Sequence, residues 1–486
     1  MLVEGFQLFV SNIWIVPLGV LLGMFVGAMP GLTSSGTLAM LLPILIALPP
    51  EVALMLGVSM YAGAEMGNSF PSVMLNIPGT PAGAVTCFDG YPMMLGGQAA
   101  RALGICIMSS TVGALFGSIA AITLAPSIAQ VALRFGPAEV CIVILFGLAI
   151  IAQLCAGGLA RGLLAGVFGL LLATTGTDPT YGQFRATFDI VYLFDGLPVV
   201  AVLIGLLGFS EVLIHAERGF SRLVESNGGR SGAGMAWHGI LTGFRDTLRR
   251  PIEWIRASVI GVGIGAMPGA GGSVATFVAY QQSVAFAPPE RKKHYGKGSH
   301  EGLIAADASN NAMVGGALVP LLTLGIPGSG SMAVLLVVMS YHGLYVGPRL
   351  FTFSGDVAYA VLLSQFLAAC FVLLIGTLLA WFAWRVALLR LAYIVPVVSV
   401  FCLLGGFARN GYVFDMGVMV AFGVLGYIMK KFRYPVVAML LGIILGPLFE
   451  ENFMRSWRMG FGEFDIFYQS AIARILWVAF VVTFAG

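Results

Sequence analysis

Glu65 and Asp307 stand inside stretches otherwise apolar enough for a bilayer interior. A carboxylate there costs about 2.5–3.5 kcal/mol on insertion scales unless it is neutralised or partnered. Both are therefore candidates for holding a proton or a cation, the structural alternative being an acid near a helix end with access to water. Asn68, Asn310 and Asn311 follow the same logic, because a buried amide needs partners and a ligand can be one.

Around these residues, helix-breaking motifs recur in order. "GAMPGLTSS" (27–35) and "GAMPGAGGS" (265–273) share their first five letters. Gly23, Gly27, Ala28, Met29, Pro30 and Gly31 return 238 residues later as Gly261, Gly265, Ala266, Met267, Pro268 and Gly269. "AEMGNS" (64–69) answers "ADASNN" (306–311) at an offset of 242, which pairs Glu65 with Asp307 and Asn68 with Asn310. "NIPGTPAGA" (76–84) answers "GIPGSGSMA" (325–333) at 249, and the added seven residues correspond to about two helical turns. Three ordered matches point to duplicated halves.

Proline removes a backbone donor and glycine loosens the helical ladder, so Pro30, Gly31, Pro78, Pro268 and Pro327 free peptide groups that lipid cannot satisfy. Such breaks persist where protein or a watery cavity meets those groups. A half-helix N-terminus then offers N–H donors and a partial positive charge to an anion. The residues after each break are small or hydroxylic. The candidate substrate-binding set is Ser34, Ser35, Asn68, Gly79, Thr80, Gly269, Gly271, Ser273, Asn310, Gly328 and Ser329. The candidate cation-coupling set is Glu65, Asp307 and Asn311, with Na⁺ placed near Ser35, Asn68, Ser273 and Asn310, where hydroxyls and freed carbonyls can ligate it. For any one of the small residues taken singly, close helix packing is the plainer reading.

The chain that must position these groups has 486 residues, 58% hydrophobic and 10% charged, against about 25% charged in soluble domains. This describes an all-α polytopic membrane protein in a lipid bilayer, with about ten to fourteen segments near the 20 residues that a crossing needs. The apolar runs do not alternate as barrel strands do. No Lys or Arg precedes Arg101, so a cleaved signal peptide with a basic n-region is not expected. A net charge of +3, spread over short loops, gives no reason for nucleic-acid binding. Six cysteines (Cys87, Cys106, Cys141, Cys155, Cys370 and Cys402) lie singly among apolar neighbours and read as packing residues.

Two polar islands interrupt the hydrophobicity. Residues 215–256 hold seven arginines against four acids, with "ESNGGRSGAG" as a flexible linker between two amphipathic stretches; residues 288–300 hold four basic residues against Glu290. Both islands belong in the cytoplasm by the positive-inside rule. The 31 residues between them are too few for two crossings of about 20 residues each and carry Pro268 and Gly269 near their middle. They read as a re-entrant hairpin opening to the cytoplasm. For Ile13 to Leu48 two shapes stay open: the same hairpin entered from the opposite face, or a simple crossing by Phe6 to Met29. The organisation expected is an N-terminal transmembrane repeat (1–214), a cytoplasmic amphipathic linker (215–256) and a C-terminal repeat with terminal helices (257–486). Repeats of opposite flanking charge imply inverted topology.

Other motifs carry no chemistry. "SHEGLI" begins like a zinc-protease helix, but Ile304 occupies the place of the second histidine; "GKGS" (296–299) lacks the glycine and hydroxyl positions of a P-loop. The serines of "PGSGS" have no histidine within a predicted span to act as base.

Taken together, "GMFVGAMPGL", "NIPGTPAGA", "GVGIGAMPGAGG" and "DASNNAMVGGALVPLLTLGIPGSG" resemble the large membrane subunit of the bacterial tripartite tricarboxylate transporters, over nearly the whole chain. The resemblance implies an inner-membrane permease working with a small transmembrane subunit and a periplasmic substrate-binding protein. It also implies import of citrate-like or other organic carboxylates, symport with Na⁺ or H⁺ and no further cofactor, and an elevator-type motion of one bundle against a scaffold. One departure within the chain is that Ala270, Gly271 and Gly272 stand where the first repeat has Leu32, Thr33 and Ser34, so the halves are not expected to bind ligand equivalently. The competing classes are a channel, an intramembrane enzyme and a purely structural subunit; concentrative uptake separates the first from a transporter.

Overall fold

The computed structural model describes residues 2–485 apart from 30–31, 77, 79, 155–158, 179–181, 219–236, 268–270, 387–398, 401, 405 and 408–410. Pro30, Gly31, Gly79, Pro268 and Gly269, together with the "ESNGGRSGAG" linker, lie outside the described residues.

The first half opens with α1 (Leu2–Ser11) and α2 (Ile15–Gly27), bent by 66°, and turns back through α3 (Ser34–Met40) and α4 (Leu42–Ala47). α5 (Pro50–Gly67) and α6 (Ser69–Leu75) follow one another across a break at Asn68, where Pro71 lacks the N–H that would bond Gly67. Next come α7 (Gly83–Leu95), α8 (Ala99–Ala132), α9 (Pro137–Leu154) and α10 (Leu159–Ala173). A small antiparallel hairpin pairs β1 (Gly176–Thr177) with β2 (Phe184–Arg185) in the register Gly176 to Arg185. α11 (Val199–Leu203) passes through a π-helical stretch, Ile204–Phe209, into α12 (Ser210–Arg218).

The second half holds α13 (Trp237–Leu248), α14 (Pro251–Gly265), α15 (Gly271–Phe286), α16 (Pro289–Lys292), α17 (His300–Leu324), α18 (Gly330–Tyr341), α19 (Leu350–Phe353) and α20 (Gly355–Val386). α21 (Val413–Lys431), α22 (Val436–Met459), α23 (Ile466–Gln469) and α24 (Ala471–Ala485) complete it.

The protein is a helical membrane protein, and among the described residues the helices long enough to cross a bilayer are fewer than the apolar runs. Among the described residues, α8, α20, α21 and α22 are long and apolar enough to cross a bilayer, or five spans if bent α1–α2 counts as one. That these are fewer than the ten to fourteen apolar segments expected has a physical reason. A hydropathy run does not register a helix break, and much of the apolar sequence is spent on paired half-length helices and on α17, every residue of which from Glu301 to Thr323 is buried inside the protein.

α14 and α15 form one such pair. At 15 and 16 residues they rise about 22–24 Å each, short of the ~30 Å hydrocarbon core. Ser283, in the last turns of α15, donates to Glu253 in the first turn of α14 at 3.3 Å, so the chain returns to the end it left. α2 with α3–α4 repeats this outline. α2 lies beside α5 with contacts in the same chain order (Gly19 at Leu56, Gly23 at Met60, Gly27 at Ala64), which makes the two helices parallel, and α3–α4 then runs back to the start of α5.

Glycine permits that close packing, and its contacts reveal the register of the duplication. A Cβ on Gly23 would lie 2.0 Å from the Met60 carbonyl oxygen, on Gly27 2.2 Å from that of Ala64, and on Gly67 2.4 Å from that of Met24. The second half repeats this with Gly261 on Ser309 at 2.3 Å, Gly265 on Met313 at 2.4 Å and Gly316 on Val262 at 2.4 Å. The α2 and α14 members are 238 apart, and the α5 and α17 members 249 apart. The same 249 relates the proline-carrying ends Pro71 and Pro320, and the left-handed caps Asn76 (φ 56°) and Gly325 (φ 71°), which close the two helices on those prolines' carbonyls. No seven-residue insertion separates the two IPG motifs. By packing, Glu65 matches Val314 and Asp307 matches Val58, so the offset of 242 is a slip of two turns. Seven residues turn a helix through about 700°, close to two full circles, which leaves the face unchanged.

Candidate functional site

α5 and α17 cross antiparallel at the centre. Tyr61 meets Met313 (OH to Sδ 3.6 Å), and one turn along α5 the Glu65 carbonyl accepts from Asn310 Nδ2 at 3.2 Å, one turn back along α17. Four helix starts gather around this crossing. α3 begins at Ser34 with Thr33 as its cap, Thr33 Oγ1 accepting from the Gly36 N–H at 3.1 Å. α18 begins at Gly330 with Ser329 as its cap, Ser329 Oγ accepting from the Met332 N–H at 3.3 Å. The two starts touch, since Ser331 donates to Ser34 at 3.2 Å and a Cβ on Gly330 would lie 3.1 Å from Ser35 Cβ.

The other two starts meet at the tips of α7 and α15. Asn68 donates to Thr80 Oγ1 at 2.8 Å and accepts from the Thr80 N–H at 2.9 Å, which holds the chain that leads into α7. Gly83 must lack a side chain there, as a Cβ would sit 2.3 Å from Asn68 Oδ1. On α15, a Cβ on Gly272 would lie 2.4 Å from Asn310 Oδ1 and 3.4 Å from Ala82 Cβ.

The two acids are buried, Glu65 at 4% and Asp307 at 1% exposure, and they are met by hydroxyls. Ser34 donates to Glu65 at 2.8 Å. Asp307 accepts a short bond from Ser69, the first residue of α6, and a 3.5 Å contact from Thr86 of α7. Each acid thus ties an inner helix to a half-helix tip: Glu65 to α3, Asp307 to α6 and α7.

Asn310 is left incomplete, as are Asn311 Oδ1 and Ser59 Oγ among the described residues. A carbonyl can only accept, so the atom facing Glu65 O is the amide nitrogen. That leaves Asn310 Oδ1 aimed at the α15 tip, buried and without a hydrogen-bond partner among the described residues.

Of the sequence-predicted residues, Ser34, Glu65, Asn68, Thr80, Asn310 and Ser329 are brought together at the crossing. Ser35 touches Thr33 Oγ1 at 3.4 Å, and Ser273 is half-buried near the α15 start, its carbonyl accepting from Thr276. Gly271 takes φ 62° as α15 begins. Asn311 faces away, donating to Ser110 on α8 at 2.9 Å, because neighbours on a helix point about 100° apart. Gly328 serves close packing, with its Cβ position 2.5 Å from the Gly265 carbonyl. Pro327 is buried while Pro78 is exposed.

Sequence reasoning missed Tyr61, whose hydroxyl donates to Ser329 Oγ at 3.1 Å, and also Ser69, Thr86 and Gly272. Tyr61 lies one turn before Glu65, a spacing that was available as a signal. The others become visible only when the halves are packed.

No solved structure matches the chain. A protein of 52.8 kDa from the TAR-I ttuC′ 3′ region of Agrobacterium vitis is 30% identical over 472 residues, 96% of this chain and 91% of that protein. A second Agrobacterium vitis protein, from the TAR-II ttuC′ 3′ region, is 26% identical over 215 residues, 44% of this chain and 87% of its own length. The profile of the tripartite tricarboxylate transporter TctA family matches residues 13–441. With both its length and its helix-break motifs accounted for by that match, the chain belongs to the tripartite tricarboxylate transporter TctA family.

Proposed function

We propose that this chain is the permease of a secondary active importer of small organic carboxylates, tri- or dicarboxylate, in the bacterial inner membrane. In this reading a periplasmic binding protein delivers the substrate, a small transmembrane subunit completes the complex, and a Na⁺ or H⁺ gradient drives accumulation. The chain is then two inverted-topology repeats, 1–214 and 257–486, joined by the linker 215–256, and it works by an elevator-type movement of the hairpins with α5 and α17. The antiparallel crossing of α5 and α17 and the matched glycine contacts support the inverted repeats.

The observation that carries the reading is the convergence of four helix starts on one buried polar crossing. Helix N-termini direct N–H groups and partial positive charge toward an anion. Asn310 Oδ1, an acceptor without a donor, suits a cation beside it. Glu65 and Asp307, buried with hydroxyl partners, are the groups to which a proton or cation would couple.

The test is uptake into vesicles reconstituted with the binding protein and small subunit, scanning tri- and dicarboxylates with and without a Na⁺ or pH gradient. Accumulation against a gradient is expected; equilibration alone would make the protein a channel. Asp307→Asn is expected to abolish gradient-driven uptake with the protein still in the membrane, and unchanged uptake would remove Asp307 from the coupling role.

A further inference from the structure

Between α7 and α15 a cleft of about 530 Å³ opens at the end of the molecule that carries the 288–300 loop. Cys87, Phe88, Tyr91, Tyr280 and Tyr295 contribute to its wall, with Lys292 at its rim and Asn76, the left-handed cap of α6, also lining it. The volume falls within the range of small-molecule sites. The two helices that wall this open cleft also carry the tips, where Ala82 and Gly272 approach each other beside Asn310. Within the wall, Phe88 packs against Phe277 (ring centroids 6.1 Å) and Tyr280 (5.7 Å), bridging α7 and α15 on the side of the tips.

The wall is braced from beneath. Asp89, fully buried, accepts from Tyr280 OH at 2.9 Å and from the Gly298 and Ser299 N–H groups at 2.9 and 2.8 Å. These bonds hold the basic loop against α7 and engage the Asp89 carboxylate beneath the cleft. Among the described residues, Lys292 is the charged side chain that lines it.

Resting on the import reading above, we propose that this cleft is the cytoplasmic passage for the carboxylate, and that Lys292 draws the anion from the helix tips toward the cytoplasm. A single cation at the mouth of a low-dielectric cleft raises local anion concentration without holding it tightly. An exit route needs that property, whereas a binding site would surround the anion with donors.

The native Cys87 reports on the cleft without any transport substrate, so the measurement is independent of whether the chain carries a carboxylate. In a variant whose other cysteines are replaced by serine or alanine, the rates of Cys87 modification by anionic sulfonatoethyl and cationic trimethylammonioethyl methanethiosulfonate are compared in inside-out vesicles. Both should react from the cytoplasmic side, and Lys292→Glu should lower the anionic-to-cationic rate ratio about tenfold, with Lys292→Gln between. A melting transition in detergent like that of the parent shows that each variant is folded. An unreactive Cys87, or a ratio indifferent to residue 292, overturns the proposal. Loss of labelling in nanodiscs when phosphatidylglycerol replaces phosphatidylcholine would assign the cleft to a lipid headgroup and also overturn it. Where uptake is measurable, modified Cys87 should block it, and unaffected uptake would refute the passage while leaving the import reading intact.

Discussion

Asn310 and Gly272 are best considered as a pair. Glycine at 272 leaves room for Asn310 Oδ1 at the α15 tip, and a methyl group there would meet that oxygen at 2.4 Å and Met313 Cε at 3.1 Å. Overpacking of this kind costs about 1–3 kcal/mol where neighbours cannot give. Gly272→Ala is therefore expected to raise the half-saturating carboxylate concentration about tenfold in reconstituted uptake. Asn310→Ala, which removes the acceptor and adds no bulk, should instead weaken the dependence on the driving cation; equal loss in both variants for substrate and cation would show a merely structural pair. The amide logic singled out Asn310 because burial makes an unpaired amide costly, and its Oδ1 is buried without a partner among the described residues. It was less discriminating for Asn311, whose neighbouring position puts it on α8 instead.

At the scale of elements, the α2–α5 and α14–α17 pairs depend on backbones that touch through glycine. Gly27→Ala places a carbon 2.2 Å from the Ala64 carbonyl oxygen, and the purified protein should lose about 1–3 kcal/mol of stability, read as a lowered melting temperature in detergent. Gly263, with nothing near its Cβ position, should accept alanine without loss. A second element-level device holds α8, α13, α14 and α17 at one end. Arg101 pairs with Asp246 at 2.7 Å, Arg250 with Glu301 at 3.0 Å, and His300 lies 3.9 Å from Asp246. Burial, and then the charge of Arg101, push His300 below the ordinary histidine value of 6.5. A depressed histidine contributes stability above its unfolded pKa and loses it as pH falls through the folded one. The melting temperature should thus drop on going from about pH 7 to pH 5, and drop less in His300→Gln; parallel curves would exclude the histidine.

For the whole molecule, the two halves meet through α3 and α18. The Cβ positions of Ser35 and Gly330 lie 3.1 Å apart, near the 3.5–4.5 Å of disulfide bridges. A Ser35→Cys, Gly330→Cys pair should cross-link under oxidation and stop uptake until reduced, because ligand between the helix starts requires them to separate. Uptake that continues through the linked form would place the passage elsewhere. The hairpin at 257–287 was legible from length and charge alone: too few residues for two crossings, with basic loops on both sides. The recurrence of glycine-bearing motifs in the two halves was legible too, but the register in which their helices pack was not. The 242 match of acids and amides preserves helix face and so imitates the 249 equivalence, which the glycine contacts with a partner helix and the left-handed caps Asn76 and Gly325 distinguish.

Composition determined by itself that this chain is a helical membrane protein, and its repeated proline–glycine motifs determined where helices stop, since both follow from local chemistry: the cost of polar groups in lipid and of missing donors in a helix. Tertiary structure decided which breaks face one another, that Tyr61 and Ser331 join Ser329 and Ser34 across the halves, and that Asn311 donates to Ser110 on α8. Those outcomes depend on distances between segments some 250 residues apart, set by how closely glycine lets two backbones approach, and no local pattern encodes them.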